Sequence, residues 1–260
     1  MASNPFFTII TASLNRGSTI QRTLESIRNQ TFKDLEHIVV DGWSTDNTLE
    51  IIKAFEGTYP VSCISEPDSG IAEALNKGLN LSAGTYVLII QADDCLPDPH
   101  TLEKVYTLLM DEAVDIYSFP IIMNHLEKGK IKLSPVKLKG WNRFKLIFLH
   151  QGTFVHKRIY EKVGNFNTGY AIAMDYDFFY RALLEKPVIK FGAFPIAEMS
   201  GAGIGTSNNY LTKRLREEAR VQKQNEKNIF WKLLQTLFRL FYIPYKTKLL
   251  PLLNGGRIKQ

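Results

Sequence analysis

Val87-Leu88-Ile89-Ile90-Gln91-Ala92-Asp93-Asp94 (VLIIQADD) runs four branched apolar residues into two adjacent carboxylates. The apolar run has the pattern of a strand buried on both faces, as in a parallel sheet. Two neighbouring like charges at the end of such a strand repel each other. Either the pair belongs to a solvated turn continuing into Pro97-Asp98-Pro99, or it is completed by a cation.

The segments upstream favour a parallel sheet. Strand-like runs at Phe6–Thr11, Leu35–Val40, Val61–Ser65 and Thr85–Ile90 alternate with helical patterns. The first helix has Ser18 as expected N-cap and Ile20, Leu24 and Ile27 on one face. A second starts near Asp46 or Asn47 and carries Leu49, Ile52 and Phe55. A third spans Ile71 to Leu81, with Gly84 as its expected C-cap. Strand–helix alternation of this kind gives an α/β domain with parallel strands and right-handed crossovers. No internal repeat or low-complexity linker interrupts it.

At 260 residues and 45% hydrophobic content, the chain suits one large domain or a domain with an appendage. Cys63 and Cys95 provide neither a disulfide framework nor metal-ligand spacing, and are expected to be reduced. Met1 leads directly into the first strand with no leader pattern, so a cytoplasmic location is expected. From Lys227 onward there are seven Lys or Arg and no acid. That leaves residues 1–226 with a formal charge of about −1 out of the chain's +6. The body therefore has no basic stripe for nucleic acid.

Ligands of such sheets bind at the carboxyl ends of the strands. Here those ends read Thr11-Ala12-Ser13-Leu14-Asn15-Arg16, Asp41-Gly42-Trp43-Ser44-Thr45-Asp46, Glu66-Pro67-Asp68-Ser69-Gly70 and Asp93-Asp94. Neither glycine-rich phosphate-loop pattern occurs at these turns, and Gly201-Ala202-Gly203-Ile204-Gly205 follows no strand-to-helix context. An acidic edge without a phosphate loop suits a diphosphate bridged by Mg²⁺ or Mn²⁺, which take one or two carboxylates plus phosphate oxygens.

Six segments, in order, resemble family 2 glycosyltransferases of the GT-A fold over roughly residues 5–225: TIITASLNRG (8–17), SIRNQTFKDLEHIVVDGWSTDNT (26–48), SEPDSGIAEALNKGLNLSAGTYV (65–87), QADD (91–94), HQGTFVHKRIYEKVGNF (150–166) and AMDYDFFYRAL (173–183). They are similar to the bacterial branch that builds capsular, colanic-type or O-antigen polysaccharides. The resemblance implies a Rossmann-like, mostly parallel sheet flanked by helices over residues 1–225. Its nucleotide-binding half covers about 1–98 and its acceptor half about 99–225, followed by a basic amphipathic helical tail at 226–260.

The resemblance also implies an inverting hexosyl or N-acetylhexosaminyl transfer, with Mn²⁺ or Mg²⁺ as cofactor. The donor is a nucleotide-diphospho-sugar, UDP-linked by preference, and the acceptor a hydroxyl of a glycan or lipid-linked saccharide. Thr11, Asp41, Asp68, Asn76 and Asp93 then line the nucleotide-sugar pocket, with Asp94 and Asp93 as metal ligands. Asp175 falls at the place of the catalytic base; Asp177, Arg181, His150 and Gln151 lie toward the acceptor or diphosphate. From spacing alone, Asp175 equally suits a helix N-cap. The chain departs from the family pattern at Gly42, Trp43, Ser69 and Ala92.

Trp43, Trp141, Tyr170 and Tyr176 could each stack on a base or sugar or fill the core, Trp43 being nearest the ligand edge. In the tail, Lys232, Arg239 and Lys246 recur at sevens with Gln235 and Thr236 between them. This makes a narrow polar stripe on an apolar helix that Pro244 interrupts. Charges break it too often for a spanning segment. Residues 229–253 therefore fit the inner face of the plasma membrane as a peripheral anchor, with packing on the domain or an oligomer contact as alternatives. A sugar-nucleotide pyrophosphorylase is disfavoured because the first turn offers only Arg16 and Gly17. A degenerate, non-enzymatic scaffold remains the other class.

Overall fold

Branched and aromatic runs separated by amphipathic helices build the first half of the chain. The computed structural model describes residues 4–110, 113–125, 129–137, 140–201 and 210–250. In chain order, β1 (Phe7–Ser13), α1 (Ile20–Arg28), β2 (Leu35–Asp41), α2 (Thr48–Lys53), β3 (Val61–Ser65), α3 (Ile71–Leu81) and β4 (Tyr86–Ile89) follow one another. These are the four expected strands and three expected helices. Then come α4 (Thr101–Leu109), β5 (Ile116–Ser118), β6 (Ile121–His125), β7 (Gly129–Leu133), β8 (Thr153–His156), α5 (Lys157–Val163) and α6 (Met174–Leu184). The chain continues with β9 (Ile189–Phe191), β10 (Glu198–Ser200), α7 (Leu211–Asn225) and α8 (Ile229–Pro244).

The main sheet has the order β3-β2-β1-β4-β8-β5-β9. All pairs are parallel except those made by β8, which runs antiparallel to β4 and β5. A second sheet, β10-β6-β7, lies beside it. Successive residues of a strand face opposite ways, so β1 and β4 serve two cores. Ile10, Val87 and Ile89 pack against Leu75 and Leu79 of α3, Tyr160 of α5 and Phe178 of α6. Phe7, Ile9, Leu88 and Ile90 pack against Leu102 and Val105 of α4. Val39 packs with Ile20 and Leu24 of α1 and Ile52 of α2. Residues in VLIIQADD are therefore covered on both faces, which is why the stretch lacks polar alternation.

Two expected caps differ. α1 begins at Ile20 with Thr19, rather than Ser18, at the cap position. The Arg16 carbonyl accepts from the Thr19 and Ile20 amides, closing the turn through backbone instead of a side-chain cap. α3 ends with Ser82, whose hydroxyl donates to Leu79 O at 2.7 Å. Gly84 has another function: a Cβ there would sit 2.6 Å from the Thr8 amide nitrogen, so the approach of this loop to β1 requires glycine.

The tail turns Gln235 and Arg239 of its expected stripe inward and leaves Lys232 and Thr236 exposed. Gln235 is 1% exposed and donates to Arg143 O and Tyr180 Oη, each at 2.9 Å. Arg239 donates to Gln222 of α7. Trp231 stacks on the Arg143 guanidinium at 4.8 Å, and Phe238 meets Phe144 at 5.1 Å. The opposite face exposes Phe230, Leu233, Leu237, Leu240 and Phe241, the last 76% exposed. Gln235 and Arg239 add donors to Tyr180 of α6, which also donates to Glu226 at 2.7 Å, and to Gln222 of α7, which also donates to Phe144 O at 3.0 Å. Among the described residues no helix is long and apolar enough to cross a membrane. Residues 251–253 of the expected anchor, and 202–205 of the glycine run, lie outside the described residues.

Candidate active site

The turns after β1 and β2 hold each other. Gly42 N donates to Ser13 O at 2.8 Å, Asn15 N to Ser44 Oγ at 2.8 Å, and Thr45 N to Asn15 Oδ1 at 2.9 Å. Arg16 N donates to Thr48 Oγ1 at 2.8 Å and Gly17 N to Asp46 Oδ2 at 3.0 Å. Asp41 is fully buried beneath this lattice and accepts from Ser44 N, Ser44 Oγ and Ser65 Oγ. Three bonds use most of a carboxylate's acceptor capacity, so Asp41 shapes the turn. Thr11 is also fully buried: its hydroxyl donates to Ile90 O at 2.7 Å and meets His37 Nε2 at 2.9 Å. Burial lowers His37 to about 3, keeping that ring neutral.

Asp68 reaches this edge from the loop after β3. Its Oδ1 accepts from Gly70 N at 2.8 Å, and its Oδ2 lies 2.5 Å from where a Cβ on Gly42 would be. The Gly42 departure thus accommodates the Asp68 carboxylate. Trp43 beside it has φ +70° and its side chain is exposed. A bulky residue in the left-handed region costs about 1–3 kcal/mol; the Asp41–Ser44 clamp maintains it.

Beyond β4, Asp94 N donates to Gln91 O at 3.0 Å and Thr23 of α1 donates to Asp94 O at 2.6 Å. Cys95 and Glu198 exchange backbone bonds at 3.0 and 2.8 Å, drawing β10 over the turn. Asp94 is 3% exposed; Oδ1 accepts from Ser200 N at 3.3 Å, while Oδ2 has no hydrogen-bond partner. Burial first, and the charge of half-buried Asp93 second, push its carboxyl up to about 7. His150, Gln151 and the Ser200 amide pull the other way.

His150 opens a 3₁₀ turn at His150–Gly152 before β8. Its Nε2 is buried without a partner and its Nδ1 lies 3.7 Å from Asp175 Oδ2. Asp175 is the second residue of α6, after a cap at Ala173, so it is not the N-cap that spacing allowed. Among the described residues its Oδ1 accepts from the neighbouring Tyr176 N, at 2.7 Å. Asp94, His150, Gln151 and Asp175 therefore gather at one place. Among the described residues the buried polar side-chain atoms left unpaired are Ser13 Oγ, Asp94 Oδ2 and His150 Nε2, contributed by the end of β1, the turn after β4 and the turn before β8. Buried polar groups are normally satisfied, so orphans at such positions call for a ligand or ion.

Other expected site residues have structural partners. Asn76 of α3 exchanges two bonds with the backbone of Phe166, at 2.8 and 2.9 Å, and clasps the two halves together. Asp177 and Arg181, expected toward the acceptor, form a brace inside the protein. Asp177 is 2% exposed and accepts from Arg181 Nε at 2.9 Å and Asn225 Nδ2 at 2.9 Å. Arg181 also donates to the carbonyls of Val163, Gly164 and Asn165. Spacing shows only that the pair is i, i+4; the burial that decides its role comes from α7.

The sequence model described as Glycosyl transferase family 2 matches residues 8–181, from β1 into α6. The chain belongs to glycosyl transferase family 2. The family 2 match spans Asp41, Asp94, His150 and Asp175 and ends before α7 and α8. A PGL/p-HBAD biosynthesis glycosyltransferase of Mycobacterium bovis is 30% identical over 216 residues, 80% of this chain and 82% of the relative. Chondroitin synthase of Pasteurella multocida is 29% identical over 67% of this chain, but only 18% of that protein. Staphylococcus aureus TarS 1–349, solved with UDP-GlcNAc, superposes with a TM-score of 0.73 at 19% identity over 94% of this chain and 77% of its own. A Pyrobaculum calidifontis mannosyltransferase solved with GDP-Man and Mn²⁺ gives 0.67 at 19% identity over the whole chain and 77% of its own. The expected GT-A architecture is thus observed, and this family 2 chain is a transferase of glycan biosynthesis.

Proposed function

We propose that this chain moves a sugar from a nucleotide-diphospho-sugar, UDP-linked by preference, to a hydroxyl of a glycan or lipid-linked saccharide, with inversion at the anomeric carbon. The carrying observation is the gathering of Asp94, with its unpaired Oδ2, and His150, with its unpaired Nε2, beside Asp175. The UDP-GlcNAc bound to TarS and the GDP-Man and Mn²⁺ bound to the archaeal mannosyltransferase support the donor class, and the PGL/p-HBAD biosynthesis role of the mycobacterial relative supports glycan transfer.

Asp94, with Asp93, fits Mn²⁺ or Mg²⁺: it offers a free buried carboxylate oxygen, and no group of three His, Cys, Asp or Glu among the described residues would hold an ion without substrate. When bound, the ion supplies Lewis-acid stabilisation of the departing diphosphate. The protein does the rest. Asp175 Oδ2 accepts the acceptor hydroxyl's proton as that oxygen attacks. His150, 3.7 Å away, orients the carboxylate. β10 and α1 exclude water from the Asp94 turn. Asp68 lies at the rim of the base pocket, and buried Asp41 holds the turn beneath it.

A thermal-shift screen of UDP-, GDP- and dTDP-sugars, with and without Mn²⁺, tests the class: a donor that stabilises only with metal is expected. Trp43 is expected to cover the nucleobase. Trp43→Gly should raise stability by about 1 kcal/mol by relieving the positive φ. It should also raise the donor KM by about tenfold, since base–aromatic stacking is worth ~1–3 kcal/mol. An unchanged KM removes Trp43 from the pocket.

The outward face of α8 is assigned to an anionic bilayer on the inner face of the plasma membrane. Exposed Phe230, Leu233, Leu237, Leu240 and Phe241 supply the apolar side. Residues from Lys227 onward carry seven bases and no acid, which suits anionic headgroups and opposes pairing with a second copy. Leu237→Asp with Phe241→Asp should abolish co-sedimentation with phosphatidylglycerol vesicles while leaving transfer to a soluble acceptor intact. Retained sedimentation rejects the assignment.

A further inference from the structure

We infer that Glu217 of α7 is a positioning residue for Asp175, so that the active site extends beyond the segment matched by the family. The inference rests on the proposed role of Asp175 as base. Three successive backbone amides lead into α6, and all three donate to the Glu217 carboxylate: Ala171 N at 3.3 Å, Ile172 N at 2.8 Å and Ala173 N at 2.9 Å. Consecutive amides converging on one anion form a nest, and a negative charge is favoured at a helix N-terminus. Because α6 has no side-chain cap of its own, Glu217 serves as one from 44–46 residues away.

Other residues of α7 hold the residues flanking Asp175 as well. From the same helix, Gln224 accepts from Tyr170 Oη, Gln222 donates to Tyr176 Oη at 3.0 Å, and Asn225 donates to Asp177 at 2.9 Å. Residues 170–173, 176 and 177 are thus fixed by α7, while Asp175 Oδ2 is left toward His150. Of the four, only Glu217 sets the backbone entering the helix, and hence the height at which Asp175 emerges. The family match ends at residue 181, so the match alone does not reveal this contribution.

The test is a double-mutant cycle on the full chain, with nucleoside diphosphate release as readout. Glu217→Ala should lower kcat on the order of 10²-fold, the cost of misplacing a reacting group by about an ångström, with donor KM unchanged. Glu217→Gln, which keeps an acceptor oxygen, should recover most of that loss. In the Asp175→Asn background, Glu217→Ala should cost nothing further. Equal losses in both backgrounds would overturn the positioning role and leave the base assignment standing. Full turnover by Asp175→Asn alone would instead remove the base assignment. If Glu217→Ala fails to fold, Glu217→Asp, which draws the carboxylate back from the three amides by one methylene, decides: a kcat below that of Glu217→Gln at unchanged donor KM supports the role, and a lowered Tm with normal kcat rejects it.

Discussion

Asp175→Asn is expected to lower kcat by about 10²–10⁴-fold, the range a positioned general base contributes, with donor affinity and Tm unchanged. The substitution is nearly isosteric, and the hydrogen bond that Asp175 accepts from Tyr176 N can be accepted equally by an amide oxygen. Partial exposure of the side chain means that no buried ion pair is broken. What is lost is proton acceptance opposite the departing diphosphate. On the proposed reading donor binding rests on the strand ends and the Asp94 turn, so calorimetric Kd for the donor with Mn²⁺ should match that of the unaltered protein. A variant that turns over normally dismisses Asp175 as base.

The brace next to it should respond differently. Asp177→Ala leaves the Arg181 guanidinium uncompensated, and breaking a buried pair costs about 3–5 kcal/mol. Denaturant unfolding should show that loss. This contrast separates two acidic residues that differ by two positions in one helix: one affects turnover at constant stability, the other stability first.

The first half of the fold was legible because its strands are locally specified. VLIIQADD and the runs at β1 to β3 carry their burial in their own composition, and α1 presents Ile20, Leu24 and Ile27 at helical spacing. The boundaries failed where backbone replaced side chains, as in the Arg16 carbonyl closing α1, or where glycine served packing, as Gly84 does against β1. In the site, acidic residues following strands were visible from order alone, but their roles were not. Asp41, Thr11 and Asn76 look like ligand groups in sequence, yet their partners are Ser44, His37 and Phe166. Ser13 and Glu217 carried no signal, since one is a serine at a strand end and the other a glutamate on a highly charged helix. Of the polar stripe expected on α8, Gln235 and Arg239 turn inward while Lys232 and Thr236 are exposed. The sequence does not show that direction, because the groups that Gln235 and Arg239 meet, Tyr180 and Gln222, come from other helices.

Asp94→Ala should remove metal-dependent donor binding and reduce turnover by roughly 10³-fold or more, because Lewis-acid stabilisation of the leaving diphosphate is worth several kcal/mol. The same carboxylate links metal binding to pH. With its pKa raised from 3.8 to about 7 by burial, Asp94 in the folded protein without metal retains a proton that the unfolded chain has lost. Stability should therefore fall as pH rises between about 4 and 7, and Asp94→Asn should flatten that part of the Tm profile. Mn²⁺ must displace the proton, so its apparent affinity should increase about tenfold per pH unit below 7 and level off above it. A pH-independent Mn²⁺ affinity, together with donor binding unaffected by Asp94→Ala, would place the ion elsewhere and leave the unpaired Asp94 oxygen without a function.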